Sequence, residues 1–368
     1  MIYLDNGATS FHKPPGVRAA MLRALERCAN PGRGGYPAAM AAAEQVYDCR
    51  ETAARMFSCQ PEQVVLTSNC THGLNIAIRT LVEPGDRVVI SGFEHNAVTR
   101  PLYALGAKTT VAGRRLFDWA DTLQAWESAL KTGPKAAVFT HVSNVFGYIL
   151  PVEEMAALCR RYGVPFVMDA AQSAGMIPID FHQLGAAFIA MPGHKGLLGP
   201  QGTGLLLCGQ LPKSLICGGT GSNSLEQQMP DFLPDRAEAG TMNVPGIAGL
   251  TEGMRYVNKV GVERILRREQ KQASFCAGQL RRLGIAVFSG EHQSGTLSFL
   301  LGSDSQETAQ ALAQAGIAVR GGLHCAPLAH ESAGTLETGT VRISFGHDAC
   351  DRQSQMLLQA VKGLRSTK

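Results

Sequence analysis

The feature of this sequence that most limits its fold is a series of short apolar runs separated by helical segments. The runs are 64–68, 87–91, 109–112, 136–140, 165–169, 186–191 and 203–208. Nearly continuous apolar runs of this length are typical of strands that are buried on both faces. When such strands alternate with helices, they form a mostly parallel sheet with helices on both sides. The pattern therefore predicts an α/β fold built on a mostly parallel, seven-stranded sheet.

The C-terminal part of the chain follows a different pattern. An irregular region rich in glycine and proline, 217–246, is followed by a long helical stretch at about 249–283. Beyond it we expect strands at 285–289, 296–301 and 340–345, and helices at 305–315 and 352–364. Because 368 residues are too many for one compact core, two domains are expected. We predict a large domain over 14–250 and a smaller α+β domain formed by 1–13 and 251–368.

The composition argues against several classes of function. The net charge is only +4 and no basic block accompanies it, so we expect no nucleic-acid partner. No apolar run approaches the roughly 18 residues of a membrane span, and the first residues lack the features of a signal peptide. The ten cysteines include no CxxC pair, which is typical of a reducing compartment. We therefore expect a cytoplasmic protein with no membrane partner and no metal site.

Polar residues follow five of the predicted strands at the point where each strand ends. They occupy positions 69–72, 94–96, 141–144, 169–172 and 194–195. In open α/β sheets, ligands bind beyond the carboxyl ends of the strands. The sequence therefore predicts one site at this edge, with a lysine, an aspartate, histidines and amide side chains.

Two of these residues, Asp169 and Lys195, point to a particular cofactor. Alone, Asp169 could cap a helix, and Lys195 could be a solvated side chain in the glycine-rich loop MPGHKGLLGPQGTG (191–204). Together they match the needs of pyridoxal phosphate, whose ring nitrogen pairs with a carboxylate and whose aldehyde forms a Schiff base with a lysine. The pair favours a pyridoxal phosphate enzyme.

Three further residues gain meaning from that pair. His95 alone would be a satisfied core histidine, but beside Lys195 it becomes a candidate for stacking on the cofactor ring. Thr71 and His72 begin a helical segment, whose N-terminal N–H groups and dipole can bind phosphate. A capping role for Thr71 is equally compatible with its position.

Eight motifs in the same order resemble those of the class V aminotransferase family of fold type I pyridoxal phosphate enzymes. Within that family the chain is most similar to the cysteine desulfurases and selenocysteine lyases. The motifs are YLDNGAT (3–9), EHNA (94–97), HVSN (141–144), DAAQSAG (169–175), GHK (193–195), EAGT (238–241), RGGLHCA (320–326) and VR (341–342). The resemblance covers almost the whole chain and implies a large cofactor-binding domain and a smaller C-terminal domain.

The resemblance implies a role in cofactor binding for each matching residue. Lys195 would form the Schiff base, and Asp169 would pair with the ring nitrogen. His95 would stack on the ring and take part in proton transfer, and Gln172 would hydrogen-bond the phenolic oxygen. The phosphate would be held by Thr71, His72 and His194.

The resemblance also implies roles around the substrate and across a subunit boundary. Asn144 and Arg342 would bind the substrate carboxylate, Arg342 through its planar fork. Cys325 would attack the substrate sulfur or selenium and become a persulfide. Thr241 would reach the phosphate of the neighbouring subunit, which implies a homodimer with shared active sites.

Whether Cys325 is functional has to be judged separately, because a single cysteine among ten more often has a structural role. Its segment, RGGLHCAP (320–327), is rich in turn formers and is not an apolar face. Arg320 and His324 are near enough in sequence to lower the thiol pKa if they point at it. A zinc site is the rival interpretation, but apart from His330 no further ligand stands at zinc spacing nearby.

We therefore expect a desulfurase that converts L-cysteine to L-alanine and leaves sulfur on Cys325 for transfer to an acceptor protein, as in the short-loop group that the segment resembles. The alternatives are a selenocysteine lyase acting on L-selenocysteine, another lyase or aminotransferase in which Cys325 is incidental, and a non-catalytic sulfur relay. Pro192 departs from the family pattern, which places a phosphate-binding hydroxyl just before the lysine. The missing contact would have to come from elsewhere, such as Asn69 or Thr71.

Overall fold

The computed structural model describes residues 1–32 and 34–366 of the chain. The strands are β1 (Ile2–Tyr3), β2 (Val64–Thr67), β3 (Arg87–Ser91), β4 (Lys108–Ala112), β5 (Ala136–Thr140), β6 (Phe166–Asp169), β7 (Phe188–Pro192), β8 (Gly204–Cys208), β9 (Ala286–Phe288), β10 (Thr296–Leu300), β11 (Ile317–Ala318), β12 (Arg320–Gly322) and β13 (Thr340–Ser344). The helices are α1 (Pro15–Arg27), α2 (Pro37–Phe57), α3 (Cys70–Leu81), α4 (Asn96–Ala104), α5 (Trp119–Leu130), α6 (Val152–Arg161), α7 (Phe181–Leu184), α8 (Val244–Val260), α9 (Val262–Arg282), α10 (Ser305–Gln314), α11 (Pro327–Ala333) and α12 (Asp351–Ser366). Within the described residues, no helix combines the length and the apolar character that crossing a membrane requires.

Seven strands form the large sheet, in the order β2-β8-β7-β6-β5-β3-β4. Neighbours from β7 to β4 run parallel, and β8 runs antiparallel to both β2 and β7. Successive side chains point to opposite faces, so Val89 packs into one core with α2, α5 and α6 while Val88 packs into another with α3 and α4. The predicted mostly parallel, seven-stranded sheet is confirmed.

The C-terminal unit is an antiparallel sheet of four strands in the order β12-β13-β10-β9. Its core includes Leu280 of α9, Phe299 of β10 and Leu357 of α12. β1 pairs with β11 in parallel, with Ile2 opposite Ile317, which places the first residues of the chain against this unit. The predicted domain boundary at residue 250 lies inside α8, a helix that packs on α1 and α2.

The helices differ from the sequence pattern in two respects. The single helix predicted at 249–283 is two helices, α8 and α9, because the chain turns at Gly261 with a φ of 90°. Glycine takes such a positive φ without steric cost. The pattern also gave no bounds for α5, α6, α7 and α11. The last of these has only seven residues, too few to be stable without the tertiary packing that buries Ala329 and His330.

Candidate active site

The ends of five strands meet at one edge of the large sheet. β2 and β7 both run antiparallel to the β8 that lies between them, so β2, β3, β5, β6 and β7 all end on the same side. The residues that follow them line a cavity of about 110 Å³. The predicted site residues among its lining are Thr71, His95, Asn144, Asp169, Gln172, His194 and Lys195. Arg342, Cys325, His72 and Thr241 lie outside that lining.

Lys195 is fixed by a tight loop after β7. A Cβ at Gly193 would lie 2.1 Å from the Thr203 hydroxyl, and one at Gly196 would lie 2.3 Å from the Ala174 carbonyl. Only glycine fits these close approaches. Burial lowers the pKa of the Lys195 amine, and the negative charge of Asp169 partly opposes this shift. A lowered pKa leaves more of the amine unprotonated, as a nucleophilic lysine requires.

Asp169, the last residue of β6, is only 3% exposed. Its Oδ1 atom accepts hydrogen bonds from the Ala171 N–H at 2.8 Å and from the Cys70 thiol at 3.4 Å. The sequence pattern placed Cys70 at the site edge but did not predict its contact with Asp169. Burial, followed by the charge of Asp169, raises the pKa of Cys70 well above its ordinary value, so the thiol keeps the proton that it donates.

His95 caps the N-terminus of α4. Its Nδ1 atom accepts a hydrogen bond of 2.9 Å from the Ala97 N–H, so in the neutral ring the proton is on Nε2. Burial lowers the pKa of His95, although Asp169 opposes the shift. The ring is therefore neutral near pH 7 and lines the cavity beside Lys195.

One part of the cavity lining is the N-terminus of α3, where the phosphate is expected. Asn69 caps this helix by accepting a hydrogen bond of 2.9 Å from the His72 N–H. Asn69, Cys70 and Thr71 line the cavity, so free N–H groups and the positive end of the helix dipole lie beside it. This helix end offers donors that Pro192 cannot supply.

Of the residues expected to bind the phosphate, one lies outside the lining of this cavity and another is uncharged. His72 lines a neighbouring cavity together with Thr241. Burial, with the charges of Lys195 and Lys13, lowers the pKa of His194 to about 4. His194 is therefore neutral near pH 7, and its Nδ1 atom lies 3.0 Å from the Thr9 hydroxyl.

Gln172 is held by the first turn of the chain. Its Nε2 atom donates a hydrogen bond of 2.9 Å to the Gly7 carbonyl, and its side chain is buried. The N-terminal segment thus fixes one wall of the cavity.

Asn144 and Arg342 form a buried pair. The Arg342 guanidinium donates a hydrogen bond of 2.9 Å to the Asn144 carbonyl and one of 2.7 Å to Asp5 Oδ1. Among the described residues, Asn144 Oδ1 and Arg342 Nε have no hydrogen-bond partner although both are buried. Buried polar atoms are rarely left unpaired, so these two atoms are suited to receive a polar ligand.

The segment that carries Cys325 is fastened to this site. The Asn96 N–H donates a hydrogen bond of 2.8 Å to the Cys325 carbonyl, and the Asn144 amide donates one of 2.8 Å to the His324 carbonyl. His324 and Cys325 have φ values of 51° and 57°, a left-handed conformation that is uncommon outside glycine. Cys325 is exposed.

His324 does not supply a positive charge to the Cys325 thiol. Its Nε2 atom lies 3.0 Å from the Thr340 carbonyl and must carry the proton, because a carbonyl oxygen only accepts. Burial, followed by the charge of Arg342, lowers the pKa of His324 to about 2. The ring is therefore neutral and is hydrogen-bonded to Thr340, so Arg320 is the cation of this segment.

Glu94, next to His95, is a second carboxyl group, to which the sequence pattern assigned no role. It is fully buried, and its Oε1 atom accepts hydrogen bonds from the Ser91 hydroxyl and from the Thr140 N–H. These bonds tie together the ends of β3 and β5, from which His95 and Asn144 follow. Burial raises the pKa of Glu94 to about 8, so it is a neutral acid at pH 7.

Replacing Glu94 with glutamine should make the protein more stable at neutral and higher pH. The amide oxygen can accept the same two hydrogen bonds, and it cannot ionise. The wild type loses stability as the pH rises from 4.5, the ordinary pKa, to about 8, because only the unfolded state ionises freely there. The excess free energy of unfolding of Glu94→Gln over wild type, measured in urea, should therefore grow by more than about 1 kcal/mol between about pH 5 and pH 8.

The matched control for this prediction is Glu83→Gln, at an exposed glutamate that pairs with Lys213. Its effect on the free energy of unfolding should be small at every pH. A difference between Glu94→Gln and wild type that does not change with pH would show that Glu94 ionises normally in the folded protein.

Comparison with known proteins identifies the family to which this site belongs. The family model for class V aminotransferases matches residues 2–357, nearly the full length of the chain. The chain belongs to the class V aminotransferase family. The family that the eight motifs suggested is therefore the family to which the chain belongs.

Proteins similar to this family member include cysteine desulfurases. Two proteins called probable cysteine desulfurase align with it: that of Methanothermobacter thermautotrophicus at 32% identity over 99% of this chain and 95% of the relative, and that of Pyrococcus abyssi at 30% over 100% and 96%. The apo structure of a cysteine desulfurase from Thermococcus onnurineus matches with a TM-score of 0.91 at 30% identity, covering 100% of this chain and 95% of that one. The predicted fold type I architecture is confirmed.

Enzymes of this family depend on pyridoxal phosphate, and the chemistry of the cavity fits that group. An amine with a lowered pKa, a buried carboxylate and a helix N-terminus match its aldehyde, ring nitrogen and phosphate. Lys195, Asp169 and the start of α3 supply these three features in the lining of one cavity. His95 offers the aromatic ring that could stack on the cofactor.

Proposed function

We propose that this chain is a pyridoxal phosphate-dependent cysteine desulfurase that converts L-cysteine to L-alanine and leaves the sulfur as a persulfide on Cys325. The observation that carries the proposal is the attachment of the Cys325 segment to Asn96 and Asn144, beside the cavity that contains Lys195. An exposed thiol in that place can meet the substrate and can later meet an acceptor protein. Relatives named probable cysteine desulfurase support the assignment.

The residues divide the work between binding and proton transfer. Pyridoxal phosphate supplies an electron sink when bound, and we assign Lys195, Asp169, Gln172, His95, Thr71 and His194 to its binding. Arg342 would hold the substrate carboxylate through its unpartnered buried Nε atom, and Asn144 through the second N–H of its side-chain amide, whose first N–H donates to the His324 carbonyl. The free amine of Lys195 would take the α-proton.

Cys325 would then carry out the sulfur transfer. Its thiolate attacks the substrate Sγ atom, so that an S–S bond forms while the Cβ–Sγ bond breaks. The electron pair of the broken bond stays with the carbon fragment, and protons from Lys195 and from solvent complete L-alanine. His95, with its proton on Nε2, is a second proton carrier in the cavity.

The decisive experiment measures L-alanine formation from L-cysteine and from L-selenocysteine, side by side, with the cofactor spectrum recorded on the same sample. Desulfurase activity predicts L-alanine and sulfide from L-cysteine when a thiol reductant is present. Turnover of L-selenocysteine alone would identify the selenocysteine lyase instead. A bound cofactor without L-alanine from either amino acid would contradict both and leave another lyase or aminotransferase.

Replacing Arg342 with lysine should raise the KM for L-cysteine by about tenfold or more while changing kcat less. Lysine keeps the charge but loses the planar fork that binds a carboxylate through two parallel bonds. Steady-state kinetics with L-cysteine test this. The control is Arg255→Lys, at a surface arginine paired with Asp48 and Glu252, which should leave KM unchanged. Equal KM values for Arg342→Lys and wild type would remove Arg342 from carboxylate binding.

We also propose a homodimer in which Thr241 completes the phosphate site of the neighbouring subunit. Thr241 is exposed and lines a cavity with His72, outside the lining around its own Lys195. Three large apolar side chains are about half exposed: Tyr36, which precedes α2, and Met40 and Tyr47 within α2. A second subunit on this face would cover them and bring its Thr241 to the site.

The cellular setting that we propose is the cytoplasm. All ten cysteines are free in the structure. Free thiols persist in a reducing compartment, where a persulfide on Cys325 could be passed to an acceptor protein.

A further inference from the structure

We infer that Asp5 is a positioning residue that couples recognition of the substrate carboxylate at Arg342 to the placement of the Cys325 segment. This inference rests on the proposed function, because it assigns the carboxylate to Arg342. It adds a residue from the first strand of the chain to the machinery of the site.

The Asp5 carboxylate is shared between two arginines. Its Oδ1 atom accepts a hydrogen bond of 2.7 Å from Arg342, and its Oδ2 atom accepts bonds of 3.1 and 2.8 Å from the Nε and Nη2 atoms of Arg320. Asp5 is 9% exposed and Arg342 is 3% exposed. Hydrogen bonds between charged partners are among the strongest in proteins, and the bond between Asp5 and Arg342 is buried, whereas the Arg320 side chain is about half exposed.

The register of the small sheet makes this carboxylate necessary. Arg320 of β12 and Arg342 of β13 stand directly opposite each other, and like charges in that position repel. Asp5 forms a bridge with Ser344 at the end of β13, which places its carboxylate between the two guanidinium groups. The one negative charge of Asp5 therefore compensates the positive charges of two arginines.

A substrate carboxylate changes this balance. When it pairs with Arg342, the two arginines share two carboxylates, so Asp5 can interact more fully with Arg320. Arg320 begins the segment that carries Cys325. The hydrogen bonds of Asp5 thus change when an anion binds Arg342. The other arginine that Asp5 binds, Arg320, belongs to the segment that carries the reactive thiol.

The far end of the segment is tied to the same arginine. Arg342 donates to the Asn144 carbonyl, and the Asn144 amide donates to the His324 carbonyl. His324 and Cys325, at this far end of the segment, have a left-handed backbone. Since that conformation is costly for residues with a side chain, it depends on the contacts at both ends, and Asp5 supplies the contact at the start.

The test measures the alkylation of Cys325 by iodoacetamide in the holoenzyme, followed by peptide mass spectrometry. L-alanine is the ligand, because it carries the same carboxylate and lacks the reacting sulfur. Cys217 and Cys350 are also exposed and serve as internal controls in every sample. In the wild type, saturating L-alanine should slow alkylation of Cys325 by at least about fivefold and leave Cys217 and Cys350 unchanged.

Two variants separate coupling from simple shielding of the thiol by the ligand. Asp5→Asn keeps the shape and removes the charge, and Arg320→Gln removes the loop-side cation while leaving Arg342 and Asp5 in place. At L-alanine concentrations that saturate each variant, both should lose most of the alkylation response. Asp5→Asn should also raise the KM for L-cysteine by about tenfold or more, whereas Arg320→Gln should change KM less.

A full alkylation response in Arg320→Gln at saturating L-alanine would show that the ligand only shields the thiol, and would overturn the inference. An unchanged KM in a folded Asp5→Asn protein, or a wild type without any response, would also overturn it. Failure of the proposed function looks different, because it abolishes L-alanine formation from L-cysteine in the wild type, while the alkylation response does not require turnover.

Discussion

Lys195→Ala should lose the absorption band of the lysine-bound cofactor and at least about a thousandfold of kcat, since a positioned proton-transfer group contributes about 10²- to 10⁴-fold. The lysine is expected to serve twice, as the covalent link to the cofactor and as the base for the α-proton. Its lowered pKa, caused by burial, suits both tasks. The measurements are the visible absorption spectrum, borohydride trapping followed by peptide mapping, and L-alanine formation.

The control for this variant is Lys135→Ala, at an exposed lysine, which should keep the spectrum and the activity. Thermal unfolding of Lys195→Ala should remain cooperative, because the loop around it is fixed by glycine contacts and not by the side chain. A borohydride-trapped cofactor on another lysine in Lys195→Ala would contradict the assignment.

Cys325→Ser should retain the cofactor and substrate binding but lower sulfide release from L-cysteine to the level of the reagent blank. A serine hydroxyl is almost fully protonated at neutral pH and is a much weaker nucleophile than a thiolate. The left-handed backbone at this position accommodates serine as readily as cysteine. The measurements are sulfide release, L-alanine formation and mass spectrometry of the persulfide, which should be absent from the variant.

The matched controls are Cys217→Ser and Cys350→Ser, which change the other two exposed cysteines. Both should behave like the wild type. Persulfide on Cys217 or Cys350 with normal turnover in Cys325→Ser would make Cys325 incidental and would favour the other lyase chemistry. Loss of cofactor binding in Cys325→Ser would instead mean that the segment has a structural role.

The location of the site could be predicted because it follows from a rule about sheets. Each parallel strand ends at the same edge, so residues that follow separate strands, such as His95, Asn144 and Asp169, meet there whatever their distance along the chain. The start of α3 was predicted to within one residue for a similar reason, but the capping role expected for Thr71 was wrong, because Asn69 is the N-cap. Such local and topological rules need no knowledge of individual contacts.

The contacts that tune the site could not be predicted in this way. Cys70 donates to Asp169 across 99 positions, and Arg342 donates to Asp5 across 337. Neither spacing is marked by any periodicity, because these pairs depend on how separate elements pack. The neutral state of His324 was missed for the same reason, since it comes from burial and from the Thr340 carbonyl.

The sequence by itself determined the α/β architecture, the edge at which the site lies and the residues that match pyridoxal phosphate chemistry. These follow from the hydrophobic periodicity of each segment and from the residue types at strand ends. Only the tertiary structure decided which titratable side chains are charged and which groups are in contact. Packing removes water from Glu94, His194 and His324 and so fixes their charge states, and it brings the first strand, through Asp5, to the two arginines beside Cys325.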